Sequence, residues 1–230
     1  MEDKKRLLDI INILDKDKKI IDVGTDHGLV PLYLAKNKIS SDITATDISG
    51  SSLQKLVDKL DDDLRKVIKT KVTDGFKGLE PEDEQVAIIA GMGANTIIDI
   101  INDSLNFSKN LDYLILASNV NTYELRHFLN DHGFYIEKDF LSYENRKYYD
   151  ILKVYYGKNQ DLSFEEYFYG LTDIENRSDL LREKLAIDKE KNLGFLEEIR
   201  EKSQDKKAIE RIEEKLKAIR KVEERCKFVN

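Results

Sequence analysis

The sequence predicts an α/β fold, in which a mostly parallel sheet of seven strands is followed by an antiparallel coiled-coil hairpin of helices. Up to residue 132, short apolar segments alternate with segments of helical spacing, which is the pattern of repeated strand–helix units. Residues 134–156 alternate aromatic or aliphatic with charged residues around a turn at 144–146, which indicates an antiparallel β-hairpin. The composition then becomes rich in Glu, Lys and Leu. We therefore expect a ligand-binding domain at 1–160 and a helical domain at 161–230.

The elements of the first domain follow one another at short intervals. A leading helix is predicted at 4–14, and the first strand, at 20–23, ends in a turn that contains glycine. Residues 86–90 are all apolar, as in a strand buried on both faces in the middle of a parallel sheet. The other strands are predicted at 43–49, 67–73 and 112–117, and the helices between them at 29–35, 51–60, 95–101 and 123–132.

Two long helices are predicted in the second domain. Apolar residues of the second helix recur at steps of three and four, as at the a and d positions of a heptad. The apolar residues are Leu181, Leu185, Phe195, Leu196 and Ile199 in the first helix and Ile209, Ile212, Leu216, Ile219 and Cys226 in the second. A turn is expected at 203–205. We expect the charged residues to form a solvated helix surface rather than a dedicated nucleic-acid face.

Composition limits the partners of the chain. Its 230 residues are 40% hydrophobic and 36% charged, and no apolar run reaches the roughly 18 residues of a membrane-spanning helix. The N-terminus lacks the features of a secretory signal, so no membrane partner and a cytoplasmic location are expected. The single Cys226 excludes an internal disulfide and Cys-pair metal motifs, and no metal is expected. A net charge of −7 argues against a broad nucleic-acid face but not against a local basic patch.

The turn after the first strand is the expected ligand site, because ligands of such sheets bind beyond the carboxyl ends of the strands. Asp22, Gly24 and Gly28 give the spacing D-x-G-x-x-x-G. Asp26 stands where a dinucleotide fingerprint needs its second glycine. The pattern resembles the first motif of class I S-adenosylmethionine (SAM) methyltransferases, [D/E]-x-G-x-G-x-G, without its middle glycine. Alternatively, the glycines serve backbone geometry alone.

Acidic residues end the next two predicted strands. Asp47 lies about twenty residues beyond the glycine turn, where a carboxylate accepts hydrogen bonds from both ribose hydroxyls of a nucleoside; the alternative is a helix N-cap. Asp74, with Gly75, could accept a hydrogen bond from an adenine amino group, although turn formation explains Asp-Gly nearly as well. His27 could orient Asp26 or line the methyl-donor pocket.

Substrate residues are expected after the fourth and fifth strands. Gly91, Met92 and Gly93 could admit a flat base, with Met92 as an adaptable apolar wall. They are not the Asn/Asp-Pro-Pro-Tyr/Phe box of many amino-group methyltransferases, which argues against exocyclic amino methylation. Asn119 could hold a base edge. Arg126 could contact a phosphate or be an ordinary surface residue of its helix.

Taken together, these motifs resemble the bacterial tRNA (adenine(22)-N1)-methyltransferase family over nearly the whole chain. They match its D-[IV]-G-[ST]-D-H, G-D-G, I-A-G-M-G-G and L-[IL]-Q-P-N motifs and a downstream hydrophobic-Arg pair. The corresponding segments are Asp22–His27, Thr73–Gly75, Ile88–Ala94, Ile115–Asn119 and Leu125-Arg126. Ala117-Ser118 replaces the Gln-Pro of the family, and Ala94 replaces its second glycine.

The resemblance implies a class I methyltransferase with a Rossmann-like SAM-binding domain and a tRNA substrate. Asp22, Gly24, Asp26 and Gly28 would shape the SAM pocket, Asp47 would hold the ribose and Asp74 the adenine. The helical hairpin is expected to hold the tRNA, and a monomer is expected.

The expected reaction is direct in-line attack by adenine N1, whose in-plane lone pair needs neither a general base nor a metal. Effective concentration would contribute about 7 kcal/mol or more. The alternatives are a SAM-dependent methyltransferase for a protein or small molecule, and a non-catalytic SAM-binding scaffold with a protein-docking coiled coil.

Overall fold

A seven-stranded sheet forms the centre of the protein in a computed structural model that describes residues 5–25, 27–202 and 205–228. The strand order is β3-β2-β1-β4-β5-β7-β6; β1 to β5 are parallel, and β7 is antiparallel to β5 and β6. The predicted sheet is thus confirmed. The strands are β1 Lys19–Val23, β2 Ile43–Asp47, β3 Ile68–Val72, β4 Gln85–Ala90, β5 Tyr113–Ser118, β6 Phe134–Glu144 and β7 Lys147–Tyr156.

Helices connect and cover these strands. In chain order they are α1 Lys5–Asn12, α2 Leu29–Lys36, α3 Gly50–Val57, α4 Asp62–Val67, α5 Ala94–Asp103, α6 Leu105–Lys109, α7 Thr122–Asp131, α8 Phe164–Tyr169, α9 Leu171–Asn176, α10 Asp179–Lys202 and α11 Lys206–Cys226. The sequence did not predict α4, α6, α8 and α9, since each has only five or six residues and shows too little periodicity. Of the predicted turn at 203–205, residues 203 and 204 lie outside the described residues, and Asp205 is the N-cap of α11.

The main core lies on both faces of the sheet. Alternate residues of a strand point to opposite faces, so Ile21 packs in one layer and Ile20 in the other. The helices α5 and α7 cover the first layer, and α1, α2 and α3 cover the second. Burial of one large aliphatic side chain contributes about 1.5–3 kcal/mol. This packing fixes the carboxyl ends of β1 to β5 along one edge of the sheet.

A separate apolar cluster joins α10 and α11 into a hairpin and connects it to the sheet. Its buried residues include Leu181, Leu185, Leu196, Leu216 and Ile219 of the hairpin, together with Leu141 of β6 and Tyr169 of α8. Phe195, predicted among the apolar residues of the first helix, is instead 45% exposed. The buried Asn192 continues the inner face and donates to the Asp188 carbonyl (2.6 Å). The coiled-coil geometry and the domain boundary at 160/161 remain predictions.

Arg126 of α7 is buried, with 1% of its side chain exposed. Its guanidinium donates to Asp139 of β6 at 2.7 and 2.9 Å and to Asp150 of β7 at 2.6 Å. It also donates to the carbonyls of Tyr167 (3.1 Å) and Phe168 (3.3 Å) in α8. The predicted phosphate contact of Arg126 does not fit this placement, because the guanidinium has no access to solvent. Arg126 instead joins α7, the hairpin strands and α8.

The single charge of Arg126 stabilises two carboxylates in this network. Burial lowers the pKa of Arg126, but the charges of Asp139 and Asp150 outweigh burial and raise it above its usual value. Thr122, the first residue of α7, donates to the second oxygen of Asp150 at 2.9 Å. The beginning of α7 is therefore fixed to β7 by the same network.

Arg126→Met should destabilise the fold by about 3–5 kcal/mol, because it leaves two buried carboxylates without their counter-charge. Urea unfolding monitored by circular dichroism measures the change. Arg182→Met is the matched control, since Arg182 is 59% exposed and its ion pair with Asp179 lies on the helix surface; it should cost less than about 0.5 kcal/mol. A loss below about 1 kcal/mol for Arg126→Met would contradict the structural role.

Candidate functional site

A cleft of about 350 Å³ opens at the carboxyl edge of the sheet, beside the ends of β1 to β4. It unites five residues that the sequence singled out: Gly24, Asp47, Asp74, Gly75 and Met92. The remaining lining residues are Val23, Ile48, Thr73, Thr96, Asp99, Ile100 and Asp103. The five residues follow or end four different strands, β1 to β4, and the parallel sheet brings them together.

The turn after β1 requires glycine at two positions. Gly24 has φ +74°, and a Cβ placed there would overlap the methyl group of Met92. The Gly24 amide donates to the Thr46 carbonyl (2.8 Å), so the turn is also attached to β2. Gly28, the N-cap of α2, has φ +67°, and a Cβ there would overlap Leu56. The loops after β1 and β4 therefore touch at the floor of the cleft.

Asp22 lies beneath this turn and does not line the cleft. It is 5% exposed, and its carboxylate accepts a hydrogen bond from the Thr25 hydroxyl. Burial raises the pKa of Asp22 to about 6, the Thr25 hydrogen bond opposes the increase, and the nearby charge of Asp47 adds to it. Asp22 thus braces the turn from inside.

The predicted Asp26 lies outside the described residues. His27 is exposed with φ +58°, and its carbonyl accepts from the Lys59 ammonium group (2.9 Å). His27 is not among the residues that line the cleft.

Asp47 has the position expected for a ribose-binding carboxylate. It is the last residue of β2, is half-buried and lines the cleft. Its Oδ1 accepts from the Ser49 amide (2.7 Å). The alternative role as helix N-cap belongs to Ser49, whose side chain accepts from the Ser52 amide at the start of α3.

Asp74 lies on the exposed side of the cleft, where it forms an ion pair with Lys77. The neighbouring Gly75 has φ +58° and packs against Ile100 of α5. The position of Asp74 is compatible with a contact to a ligand in the cleft. The positive φ of Gly75 is that of a tight turn, and the adenine contact of Asp74 stays a prediction.

The loop after β5 carries Asn119 next to the cleft. The Ser118 hydroxyl donates to the Val120 carbonyl (2.9 Å), which also accepts from the Ala94 amide (3.2 Å) at the start of α5. Asn119 itself is exposed. Gly93 caps α5, and a Cβ on it would come within 3.0 Å of Val120. The loops after β4 and β5 are therefore held together, with Asn119 free of packing.

Gly91 has φ +84° and open space in place of a side chain. With Met92 and Gly93 it forms the short connection from β4 to α5. This connection lies between the cleft, which Met92 lines, and the loop of Asn119, to which Gly93 is packed. A flat molecule would therefore meet no side chain at Gly91.

A groove of about 980 Å³ extends from Asn119 towards the helical hairpin. Its walls combine the aromatic residues Tyr123, Tyr148 and Phe168 with basic and acidic side chains. The basic ones are Lys147, Lys184, Lys191, Lys207, Arg211 and Lys215. The sequence analysis missed this groove, because its walls come from α7, β7, α8, α10 and α11, and no local motif indicates that they meet.

Within the described ranges, no group of three or more His, Cys, Asp or Glu side chains could hold a metal ion. No described helix is long and apolar enough to cross a membrane.

Residues 3–152 match the family model described as a methyltransferase domain. A putative tRNA methyltransferase of Mycoplasma genitalium is 31% identical over 156 residues, which are 66% of this chain and 69% of that protein. The tRNA (adenine(22)-N(1))-methyltransferase of Bacillus subtilis is 24% identical over 151 residues, covering 64% of this chain and 63% of that one. A crystal structure of Streptococcus pneumoniae Sp1610, a putative tRNA (m1A22) methyltransferase, in complex with S-adenosyl-L-methionine, has 27% identity and a TM-score of 0.84, with 96% and 99% of the two chains covered.

Asp22→Asn should stabilise the protein increasingly as the pH rises. The folded-state pKa of Asp22, about 6, lies above the ordinary value of 3.8. Ionisation of Asp22 therefore destabilises the folded parent, whose full stability is present only below pH 3.8. Relative to the parent, the free energy of unfolding of the variant should increase by about 2 kcal/mol between pH 4 and pH 8. Urea unfolding across that range measures it. Asp63→Asn, at a side chain 89% exposed, controls for the loss of one charge, and a pH-independent difference for Asp22→Asn would contradict the account.

Proposed function

Because the chain belongs to the methyltransferase domain family, we propose that it transfers a methyl group from SAM to N1 of adenine 22 in tRNA. The observation that carries this proposal is the junction of the cleft with the Asn119 loop, where Gly24 and Asp47 lie beside Met92. The names of the Bacillus subtilis and Streptococcus pneumoniae relatives support the choice of reaction. The whole-length likeness to the second includes the helical hairpin.

The residues of the cleft fit SAM. Its volume of about 350 Å³ lies within the usual range of small-molecule sites, roughly 300–1,000 Å³. Asp47 can accept hydrogen bonds from the ribose hydroxyls, and Asp74 can accept one from the adenine amino group. Gly24 lets the backbone approach the ligand closely.

Bound SAM supplies an electrophilic methyl group. The residues of this chain position the acceptor: Met92 forms an apolar wall, and Asn119 can hold the polar edge of the base. Gly91 leaves room for the flat ring beside the backbone. Such positioning can account for roughly 7 kcal/mol or more of the barrier through effective concentration.

The reaction needs no proton acceptor, because N1 of adenine carries its own in-plane lone pair. His27 lies outside the residues that line the cleft, which agrees with a mechanism without a histidine base. The adenine must leave the folded tRNA to reach Met92, at an unstacking cost of a few kcal/mol.

The tRNA itself is proposed to lie in the groove between the Asn119 loop and the hairpin. Lys147 and Lys207 line this groove, and neither forms an ion pair with a described carboxylate, so both are available to phosphates. The hairpin is best tested by point substitutions, since truncation after residue 156 would also remove the carbonyls that bind Arg126. We propose that the protein acts as a cytoplasmic monomer.

One alternative keeps the chemistry and changes the substrate. The net charge of −7 would suit a methyltransferase for a protein or a small molecule. Incubation with SAM and unmodified tRNA, followed by mass spectrometry of the nucleosides, separates the two: N1-methyladenosine supports the proposal. Tight SAM binding without methylated nucleosides would support the non-catalytic scaffold or another substrate.

Asp47→Ala should weaken SAM binding by 30-fold or more. It removes two charge-assisted hydrogen bonds at a half-buried position, which costs about 2–4 kcal/mol. Isothermal titration calorimetry measures the affinity, with Asp42→Ala as the control, because Asp42 pairs with Lys69 outside the cleft. An affinity of Asp47→Ala within threefold of the parent would exclude the ribose contact.

Asn119→Ala should lower the single-turnover rate by roughly 10- to 1000-fold, the effect of losing one orienting hydrogen bond of ~1.5–4 kcal/mol. SAM affinity should stay within twofold of the parent, because Asn119 lies outside the cleft. His27→Ala should lower the rate less. With tRNA and SAM saturating, the rate should be nearly flat from pH 7 to 9. A log-linear rise that disappears in His27→Ala would show that His27 is a base.

A further inference from the structure

Tyr123 is the aromatic residue of the groove that lies nearest in the chain to Asn119. It is half-buried in the first turn of α7, whose start is tied to β7 through Thr122 and Asp150. Its ring lies 4.4 Å from that of Phe168 and 4.5 Å from that of His127, measured between centroids. These contacts restrict its motion. Both Tyr123 and Phe168 line the groove, so the cluster packs α7 on α8 and still presents ring surface to the open space.

The groove combines this aromatic surface with unpaired cations. Lys147 extends from the start of β7 and Lys207 from the start of α11, and neither has a described ion-pair partner. Five acidic residues also line the groove. Asp188 is paired with Lys184 and Lys215, and Glu124 with Arg211. Asp150 shares the charge of Arg126 with Asp139. Proteins bind single-stranded nucleic acid with aromatic rings, on which the bases stack, and with cations, which contact the phosphate backbone. A purely structural aromatic cluster would not need these cations.

We infer that Tyr123 is a stacking platform for a nucleobase adjacent to the target adenine. The target itself must lie at the cleft, which Met92 lines and Tyr123 does not. A base on Tyr123 would lie in the groove and not in the cleft, and therefore belongs to a neighbouring nucleotide. Stacking there would hold the RNA strand open while its neighbour enters the cleft. This inference rests on the proposed tRNA substrate and adds a specific contact to it.

The test measures the affinity of the full chain for a tRNA transcript by fluorescence anisotropy, with S-adenosylhomocysteine present to prevent turnover. Tyr123→Leu should weaken binding about 5- to 100-fold, the usual effect of one lost base–aromatic stack. Tyr123→Phe, which keeps the ring, should restore binding to within twofold. Tyr156→Leu is the matched control, because Tyr156 is 45% exposed at the end of β7, beyond the opposite edge of the sheet.

Abasic transcripts distinguish stacking from a structural role of Tyr123. One transcript carries an abasic nucleotide at position 21 and another at position 23. At one of these positions the missing base should weaken binding to the parent by a factor similar to that of Tyr123→Leu. The same abasic nucleotide should weaken binding to Tyr123→Leu by less than twofold, because a base and a side chain that contact each other do not contribute additively to the affinity. The slope of log affinity against log salt should be unchanged in Tyr123→Leu and smaller by about one in Lys207→Ala.

Three results would overturn the inference. The first is that Tyr123→Leu binds the transcript as tightly as the parent, and the second is that the affinity losses from Tyr123→Leu and from the abasic nucleotide add up at both positions. The third is that neither abasic nucleotide weakens binding to the parent. The last needs no variant and therefore stands even if Tyr123→Leu does not fold. Methyl transfer to the intact transcript is scored separately. Its failure would refute the proposed function, whereas normal transfer without coupling at Tyr123 would refute only the stacking contact.

Discussion

The burial of Arg126 is the constraint on which the arrangement of the site depends. A buried guanidinium persists only while its charge and its donors are matched, since removal of a partner costs several kcal/mol. Here the partners come from β6, β7 and α8, so these elements keep fixed positions relative to α7. The loop of Asn119 leads directly into α7. One network therefore holds the Asn119 loop and the attachment of the helical hairpin together.

The edge of the sheet separates two tasks. The loops after β1, β2 and β3 form the cleft, where glycines admit a ligand and Asp47 offers a carboxylate. The loop after β5 faces the groove, and Val120 lies against Gly93 of the loop after β4, whose Met92 lines the cleft. A methyl donor and a base can thus approach from opposite sides and meet at Met92. The hairpin extends the second side into a groove of about 980 Å³.

The sequence predicted those features that depend on local pattern. The position of Asp47 follows from a strand, a glycine turn and a spacing that are all visible in the chain, and the model places it in the cleft. The role of Arg126 could not be predicted, because it depends on carboxylates 13 and 24 residues away that only the folded hairpin brings near. The apolar pattern predicted the helix α10 but could not show that the polar Asn192 lies on its buried face, where its side chain donates to the Asp188 carbonyl. The groove required the packing of five elements and had no sequence signal.

The central claim is methylation of N1 at one adenine of tRNA. Its most direct test is to incubate the protein and SAM with two transcripts that differ only in adenosine or guanosine at position 22. Neutral digestion and mass spectrometry then identify the methylated nucleosides. We predict stoichiometric N1-methyladenosine in the first transcript and none in the second. N1-methyladenosine in both, or N6-methyladenosine in the first, would contradict the account.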